Sequence, residues 1–175
     1  MFHRNIKLII AGLVILTGIW QFTESNIGNG IFVILLSAIP IFLYFKNEFI
    51  LLAFLKLRKQ DFEGAKKWLA YIKNPETALV RKQQGYFNYL HGIMLSQTNI
   101  NQAEKYFKKA IALNPNYADA YYNYANLLAD QESYSDAIKM YKSATSLKKD
   151  YFEAFNNLGN IYRKIKDYDN AIESY

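Results

Sequence analysis

The chain opens with two apolar stretches and then changes pattern. Leu8 to Phe22 reads LIIAGLVILTGIWQF and Ile27 to Phe45 reads IGNGIFVILLSAIPIFLYF; neither contains a charged residue, and Glu24 is the one charge between them. A soluble amphipathic helix needs polar positions for its wet face, and these stretches are too uniformly apolar to supply one. They predict a transmembrane helical hairpin over residues 1–48, with spans at about 6–22 and 27–45. As a helix rising about 1.5 Å per residue the second span covers roughly 28 Å, close to a hydrocarbon core of about 30 Å. The first is shorter and is completed by Ile6 and by Lys7, whose stem can reach the interface. Phe2, Trp20, Tyr44 and Phe45 fall near the span ends, where aromatic rings favour the headgroup zone. Gly28 and Gly30 around Asn29 predict a tight turn, and Pro40 is tolerable in lipid. A secretory signal peptide is the competing reading, disfavoured by the absence of a small-x-small cleavage site and by the second span that follows.

Downstream the chain repeats with a period of 34 residues. Ala103, Ala137 and Ala171 recur at that spacing, each followed four residues later by an aromatic, Phe107, Tyr141 and Tyr175. The same offset relates Phe87, Tyr121 and Phe155; Leu90, Tyr124 and Leu158; Met94, Leu128 and Tyr162; and Ala110 and Ala144. Such self-similarity marks stacked helix pairs, in which a small residue lets two helices approach while aromatics fill the gap to the next pair. Residues 84–175 resemble tetratricopeptide repeats, most fully in FNNLGNIYRKIKDYDNAIESY, where Leu158, Gly159, Tyr162, Ala171 and Tyr175 occupy the family's slots. His91 and Ala125 depart from the usual glycine slot and Lys149 from the usual proline, and Gly92 is expected to relieve the crowding at His91.

The expected fold is therefore all-α, a transmembrane hairpin followed by an α-solenoid of antiparallel helix pairs. Its divisions are 1–48, a degenerate first pair at 49–83, repeats at 84–117 and 118–151, and a partial repeat at 152–175. The degenerate pair rests on DFEGAKKWLAYI, which places Phe62 and Ala65 as Tyr168 and Ala171 are placed; about four extra residues must fit near KNPETALV. Its first helix, EFILLAFLKLRK, also reads as an interfacial amphipathic helix. The last unit has only the start of its second helix, so the natural protein is expected to continue past Tyr175.

Composition narrows the chemistry. With no cysteine, disulfides, thiolate metal sites and cysteine nucleophiles are excluded, and His3 and His91 stand too far apart for metal-ligand spacing. No phosphate loop, H-E-x-x-H or G-x-S-x-G is present, so neither enzyme activity, cofactor nor metal is expected. Part of the net charge of +6 flanks the apolar stretches: Arg4 and Lys7 before the first, Lys46, Lys56, Arg58 and Lys59 after the second. That distribution predicts both termini and the repeats on the cytoplasmic side of a bacterial-type inner membrane, with inverted topology as the alternative. Lys56, Arg58 and Lys59 would also sit against anionic lipid. Acidic residues such as Asp119, Asp130 and Glu153 dilute any basic stripe, which argues against nucleic acid.

Asparagine is a poor helix former, yet it recurs on the first helix of each repeat. The positions are Asn88, then Asn123 and Asn126, then Asn156, Asn157 and Asn160. The family resemblance implies a role, since in some tetratricopeptide superhelices asparagines just before the Leu-Gly pair line the inner groove and bind peptide backbone. Asn123 and Asn157 fill that slot here, and Tyr89 does not. The candidate groove also includes Tyr122, Arg163 and Lys164; a carboxylate clamp is disfavoured because the places matching Arg163 and Lys164 one repeat earlier are Ala129 and Asp130. The expected partner is a protein or peptide, held near the membrane by a scaffold. Two alternatives are the regulatory front of a larger enzyme beyond Tyr175 and self-assembly through the C-terminal edge.

Overall fold

The computed structural model describes residues 4–24, 27–45 and 47–175, with the side chains of Arg4 and of 42–45 left aside. The roles expected of Phe2, His3, Lys46 and the side chains of Arg4, Tyr44 and Phe45 therefore lie outside the described residues. All regular structure among the described residues is helical, and the chain divides into two compact units, Met1–Gln83 and Gln84–Tyr175.

The first unit begins with α1 (Arg4–Thr23), against which α2 (Ile27–Leu36) and α3 (Ala38–Phe45) both pack. Within α1, Asn5–Thr23 is long and apolar enough to cross a membrane, and only a small share of it is buried; Ile27–Ile41 is a shorter apolar stretch. The expected turn at Gly28, Asn29 and Gly30 is not one, because all three residues lie inside α2. Gly30 instead serves as a contact point. A Cβ there would come within 3.0 Å of the Gly18 carbonyl oxygen, and one on Gly18 within 2.5 Å of Ile34. Paired glycines let two apolar helices meet backbone to backbone, the usual packing device where neither helix has a polar face to spare.

Nor is the second span one continuous helix. Pro40 has no N–H to offer the carbonyl of Leu36, and the helix breaks at Ser37. There both the backbone N–H and the hydroxyl donate to the carbonyl of Ile34, at 3.0 and 2.6 Å. Lys7 also departs from expectation: it is buried and forms an ion pair with Glu48 rather than extending outward. This pair ties the start of α1 to the start of α4 (Glu48–Arg58), so the hairpin closes on itself at that end.

Helix α4 packs against α5 (Phe62–Ala70) through Ile50, Ala53, Ala65 and Leu69, all buried, with Phe49, Trp68 and Tyr71 stacked beside them. Asn47 and Asp61 cap the two helices, accepting from the N–H groups of Phe49 and Gly64 at 3.0 and 2.8 Å. The extra residues near KNPETALV form the short α6 (Pro75–Ala78), with proline at its first turn.

The second unit holds α7 (Arg81–Leu95), which starts just before it, then α8 (Ile100–Leu113), α9 (Ala118–Asp130), α10 (Tyr134–Leu147), α11 (Phe152–Lys164) and α12 (Tyr168–Ser174). Its core is made of recurring positions. Ala103, Ala110, Ala137, Ala144 and Ala171 are buried between helices, and Leu90, Phe107, Tyr124, Tyr141, Leu158 and Tyr162 are buried around them. Phe87, Tyr121 and Phe155 are half-buried, and Tyr175 is exposed. Burying a Phe or Leu side chain contributes roughly 1.5–3 kcal/mol, so the larger of these slots each add substantially to the unit's apolar stabilisation.

Helix-to-helix turns recur as well. Glu132 and Lys166 adopt left-handed backbone, with φ of 59° and 65°. After each, the next N–H reaches back to the last turn of the preceding helix, Ser133 to Leu128 and Asp167 to Tyr162, both at 2.9 Å. Gln60 repeats this geometry in the first unit, with φ of 58° and Asp61 N–H donating to the Lys56 carbonyl at 3.0 Å. All three residues stand five positions before an inward alanine: Ala65, Ala137 and Ala171.

Candidate functional site

The candidate groove is built on α9 and α11, with α7 before them. Because residues 34 apart occupy equivalent places, Tyr89, Asn123 and Asn157 form one column, and each asparagine donates to a phenol of the preceding repeat. The Asn123 amide donates to the Tyr89 hydroxyl at 3.1 Å and to the Asp119 carbonyl at 2.9 Å. That of Asn157 donates to the Tyr122 hydroxyl at 3.3 Å and to Asn126 Oδ1 at 3.1 Å. Among the described residues no donor reaches Oδ1 of Asn123 or Asn157. Each side chain is thus a spent donor with an acceptor to offer.

The remaining asparagines divide into two groups. Asn126 is drawn into the protein, where its Oδ1 also accepts from the Tyr141 hydroxyl at 2.6 Å, and Asn88 is buried with its amide donating to the Gln84 carbonyl at 2.7 Å. Asn156 and Asn160 form a wetter pair: Asn160 donates to Asn156 Oδ1 at 3.1 Å and accepts from Arg163 at 3.3 Å and from the Tyr175 hydroxyl at 2.9 Å. Lys164 lies over the ring of Tyr134 on α10, 5.6 Å from its centroid, rather than on an asparagine. The nine candidate residues therefore do not converge as one set. Tyr122, Asn126 and Asn157 are linked, Asn123 bonds to Tyr89 and Asp119 instead, Asn156, Asn160 and Arg163 form a second cluster, and Asn88 and Lys164 stand apart.

A wall of phenols surrounds the first of these groups, and the sequence reading did not single it out. Tyr117 packs edge-on against Tyr86 and Tyr89, with both centroid separations 4.7 Å, and Tyr151 packs against Tyr122 at 4.9 Å. The Tyr151 hydroxyl donates to Asp119 Oδ1 at 2.9 Å. Burial, followed by the nearby Asp119 carboxylate, holds the Tyr89 and Tyr151 phenols well above the ordinary tyrosine range. Tyr117 is raised by burial and then by Tyr89, and Tyr141 chiefly by burial. These hydroxyls stay protonated and serve as neutral hydrogen-bonding groups. A signal for them existed in the sequence, since Tyr117 and Tyr151 are one period apart, each just before the first helix of a repeat.

The glycine slot explains the His91 departure. A Cβ on Gly159 would meet the Tyr175 ring at 2.8 Å, whereas in α7 the matching aromatic, Phe107, lies over Gly92, 2.7 Å from a Cβ placed there. The close approach has moved by one residue. His91 is left to stack between Phe87 and Tyr106, with centroids at 4.6 and 5.0 Å.

Periodicity, inward alanines and paired helices are matched by independent comparison. A TPR repeat family model covers residues 125–166, and tetratricopeptide repeat models cover 106–139 and 94–117. These matches fall within the repeating segment and support a tetratricopeptide family. Among solved structures, the tetratricopeptide fold here resembles the crystal structure of MamA (TM-score 0.60, 22% identity, 90% of this chain and 89% of that one). It also resembles PilF of Pseudomonas aeruginosa (0.62, 21%, 72% and 56%) and an O-GlcNAc transferase of Thermobaculum terrenum (0.57, 20%, 65% and 21%). At these identities the likeness is one of fold, and it involves only a fifth of the transferase chain. No catalytic family is among the family matches. No curated protein sequence matches significantly.

Proposed function

We propose that this chain is a membrane-anchored scaffold whose tetratricopeptide repeats hold an extended segment of a partner protein, recruiting it to a bacterial inner membrane. The observation that carries the reading is the pair of uncommitted acceptors, Asn123 Oδ1 and Asn157 Oδ1, held in place by donation to the phenols of the preceding repeat. An extended peptide presents a backbone N–H at regular intervals, and acceptors repeated along a solenoid can meet them whatever the peptide's sequence. Half-buried Tyr122, backed by the buried ring of Tyr151, supplies flat apolar area beside them at small conformational cost. Residues 1–48 anchor the scaffold, with the repeats in the cytoplasm, and tethering raises the partner's effective concentration at the bilayer.

The test is recovery of partners from native membranes by the parent chain and by the Asn123→Ala, Asn157→Ala double variant, its helicity checked by circular dichroism. Partners recovered by the parent and lost by the folded variant support the groove. Identical recovery by both refutes it.

Self-assembly through the C-terminal edge is a second reading. It is favoured by Phe152 and Ile172, 77% and 75% exposed, near an open depression of about 440 Å³ lined by Phe152, Phe155 and Tyr175. Mass measurement in detergent separates a monomer from an assembly, and an Ile172→Asp variant should dissociate any assembly made through that edge.

A further inference from the structure

The outward face of α4 has the wrong chemistry for water. Leu51, Phe54 and Leu55 are 40%, 41% and 44% exposed, at the i, i+3, i+4 spacing that puts them on one side of the helix, and Phe62 is exposed just beyond its end. Arg58 and Lys59, also exposed, end the same side, and no acidic residue interrupts it. Within α4 the other two charges are paired, Glu48 at its start with Lys7 and Lys56 near its end with Asp61 at 2.8 Å.

Repeat register makes the contrast sharper. Leu51 stands 14 residues before the inward Ala65, where Asn123 precedes Ala137 and Asn157 precedes Ala171; Phe54 stands where Asn126 and Asn160 do. Positions that carry amides in the later repeats carry bare hydrocarbon in α4, so this helix has nothing with which to pair a peptide backbone. The Lys7–Glu48 pair fixes the start of α4 at the end of the hairpin where α1 begins.

We propose that the Leu51, Phe54 and Leu55 face of α4 docks onto an anionic bilayer surface, with Phe62 extending it and Arg58 and Lys59 against lipid headgroups. Apolar side chains sink into the boundary between headgroup and acyl chain, and a basic helix end is drawn by the negative surface potential. The inference rests on the reading that α1 to α3 lie in a membrane, because that puts α4 at the interface from its first residue.

The chain has no cysteine, so single spin labels can be placed in the full protein without background. Labels at Leu51→Cys and Phe54→Cys on α4, and separately at Leu13→Cys on α1, are read in nanodiscs of phosphatidylcholine alone and with phosphatidylglycerol added. Oxygen and a water-soluble nickel complex serve as the collision partners. The α4 labels are expected to be shielded from nickel in the anionic discs and more open to it in the neutral ones. An Arg58→Gln, Lys59→Gln variant should lower the docked-to-undocked ratio about thirtyfold.

A nickel-accessible label at position 54 in anionic discs overturns the proposal, and the face would then belong to a protein partner. The label at position 13 tests the membrane span independently. Water access there removes the anchor reading, while the position 54 label still decides whether α4 docks; a dry position 13 with a wet position 54 defeats the docking alone.

Discussion

In the first and last of the three clear repeats a missing Cβ sets how closely the two helices approach, and the two glycines differ in what they face. Phe107 above Gly92 is fully buried and has nowhere to move, whereas Tyr175 above Gly159 is 65% exposed. Gly92→Ala is expected to destabilise the protein by about 1–3 kcal/mol through overpacking. Gly159→Ala should cost much less, since the ring can swing away and alanine gains up to about 1 kcal/mol in helix propensity. Thermal melts of the two variants check the difference. The sequence could not reveal that Gly92 takes the role of the usual glycine slot, because a one-residue shift in close approach leaves the alanine and aromatic spacing unchanged. Asn126 makes a second case. Its Oδ1 accepts from both Tyr141 and Asn157, so Asn126→Ala strands a buried hydroxyl and should cost about 1–3 kcal/mol. Removing that hydroxyl by Tyr141→Phe in the same background should recover part of the loss, a coupling that a double-mutant cycle measures directly.

At the level of helices and turns, recurrence of backbone geometry says more than recurrence of side chains. Pairing of α4 with α5 was legible from Phe62 and Ala65, but the apolar EFILLAFL stretch also suited an interfacial helix, and hydropathy could not choose a single role. The turn at Gln60, shared with Glu132 and Lys166, gives the pair the same helix exit as the later repeats. None of the three is glycine, so each carries the strain of a left-handed L-residue. Glu132→Gly and Lys166→Gly are each expected to raise stability by about 0.5–1 kcal/mol. Thr98, at the equivalent place in the first clear repeat, is not left-handed, so Thr98→Gly should give no gain. Denaturant midpoints of the three variants test this. The hairpin was less legible in detail. Gly28 and Gly30 looked like turn residues because flanking glycines are common in turns, yet in an apolar helix the same residue type marks a helix crossing. The effect of Pro40 appears as a break at Ser37, three residues away, because the carbonyl it fails to satisfy lies four residues back, at Leu36.

For the molecule as a whole, the two units should respond to different variables. In the repeats, burial is the largest cause raising the phenols of Tyr89, Tyr117, Tyr141 and Tyr151, so the folded state holds those protons after the unfolded chain has released them. Below an unfolded tyrosine pKa of about 10 both states are protonated and stability is unaffected; above it only the unfolded state ionises, and stability falls. The denaturant midpoint should therefore decline above about pH 10. His91 acts at the other extreme: burial lowers its pKa, so stability is lost as pH falls through the unfolded value of about 6.5. The first unit should respond to lipid instead. Residues such as Leu13, Leu16, Phe32 and Leu35 are exposed on α1 and α2, an apolar surface of the kind that lipid or another protein covers. The full chain is expected to remain with bacterial membranes through alkaline carbonate washing, and a variant lacking residues 4–45 should be released. If residues 4–45 were a signal sequence, the mature protein would lack α1, which N-terminal sequencing of the membrane-bound species would reveal. Retention with the N-terminus intact leaves an anchor as the physical account of those exposed side chains. Release of the full chain by carbonate would mean that another protein covers them.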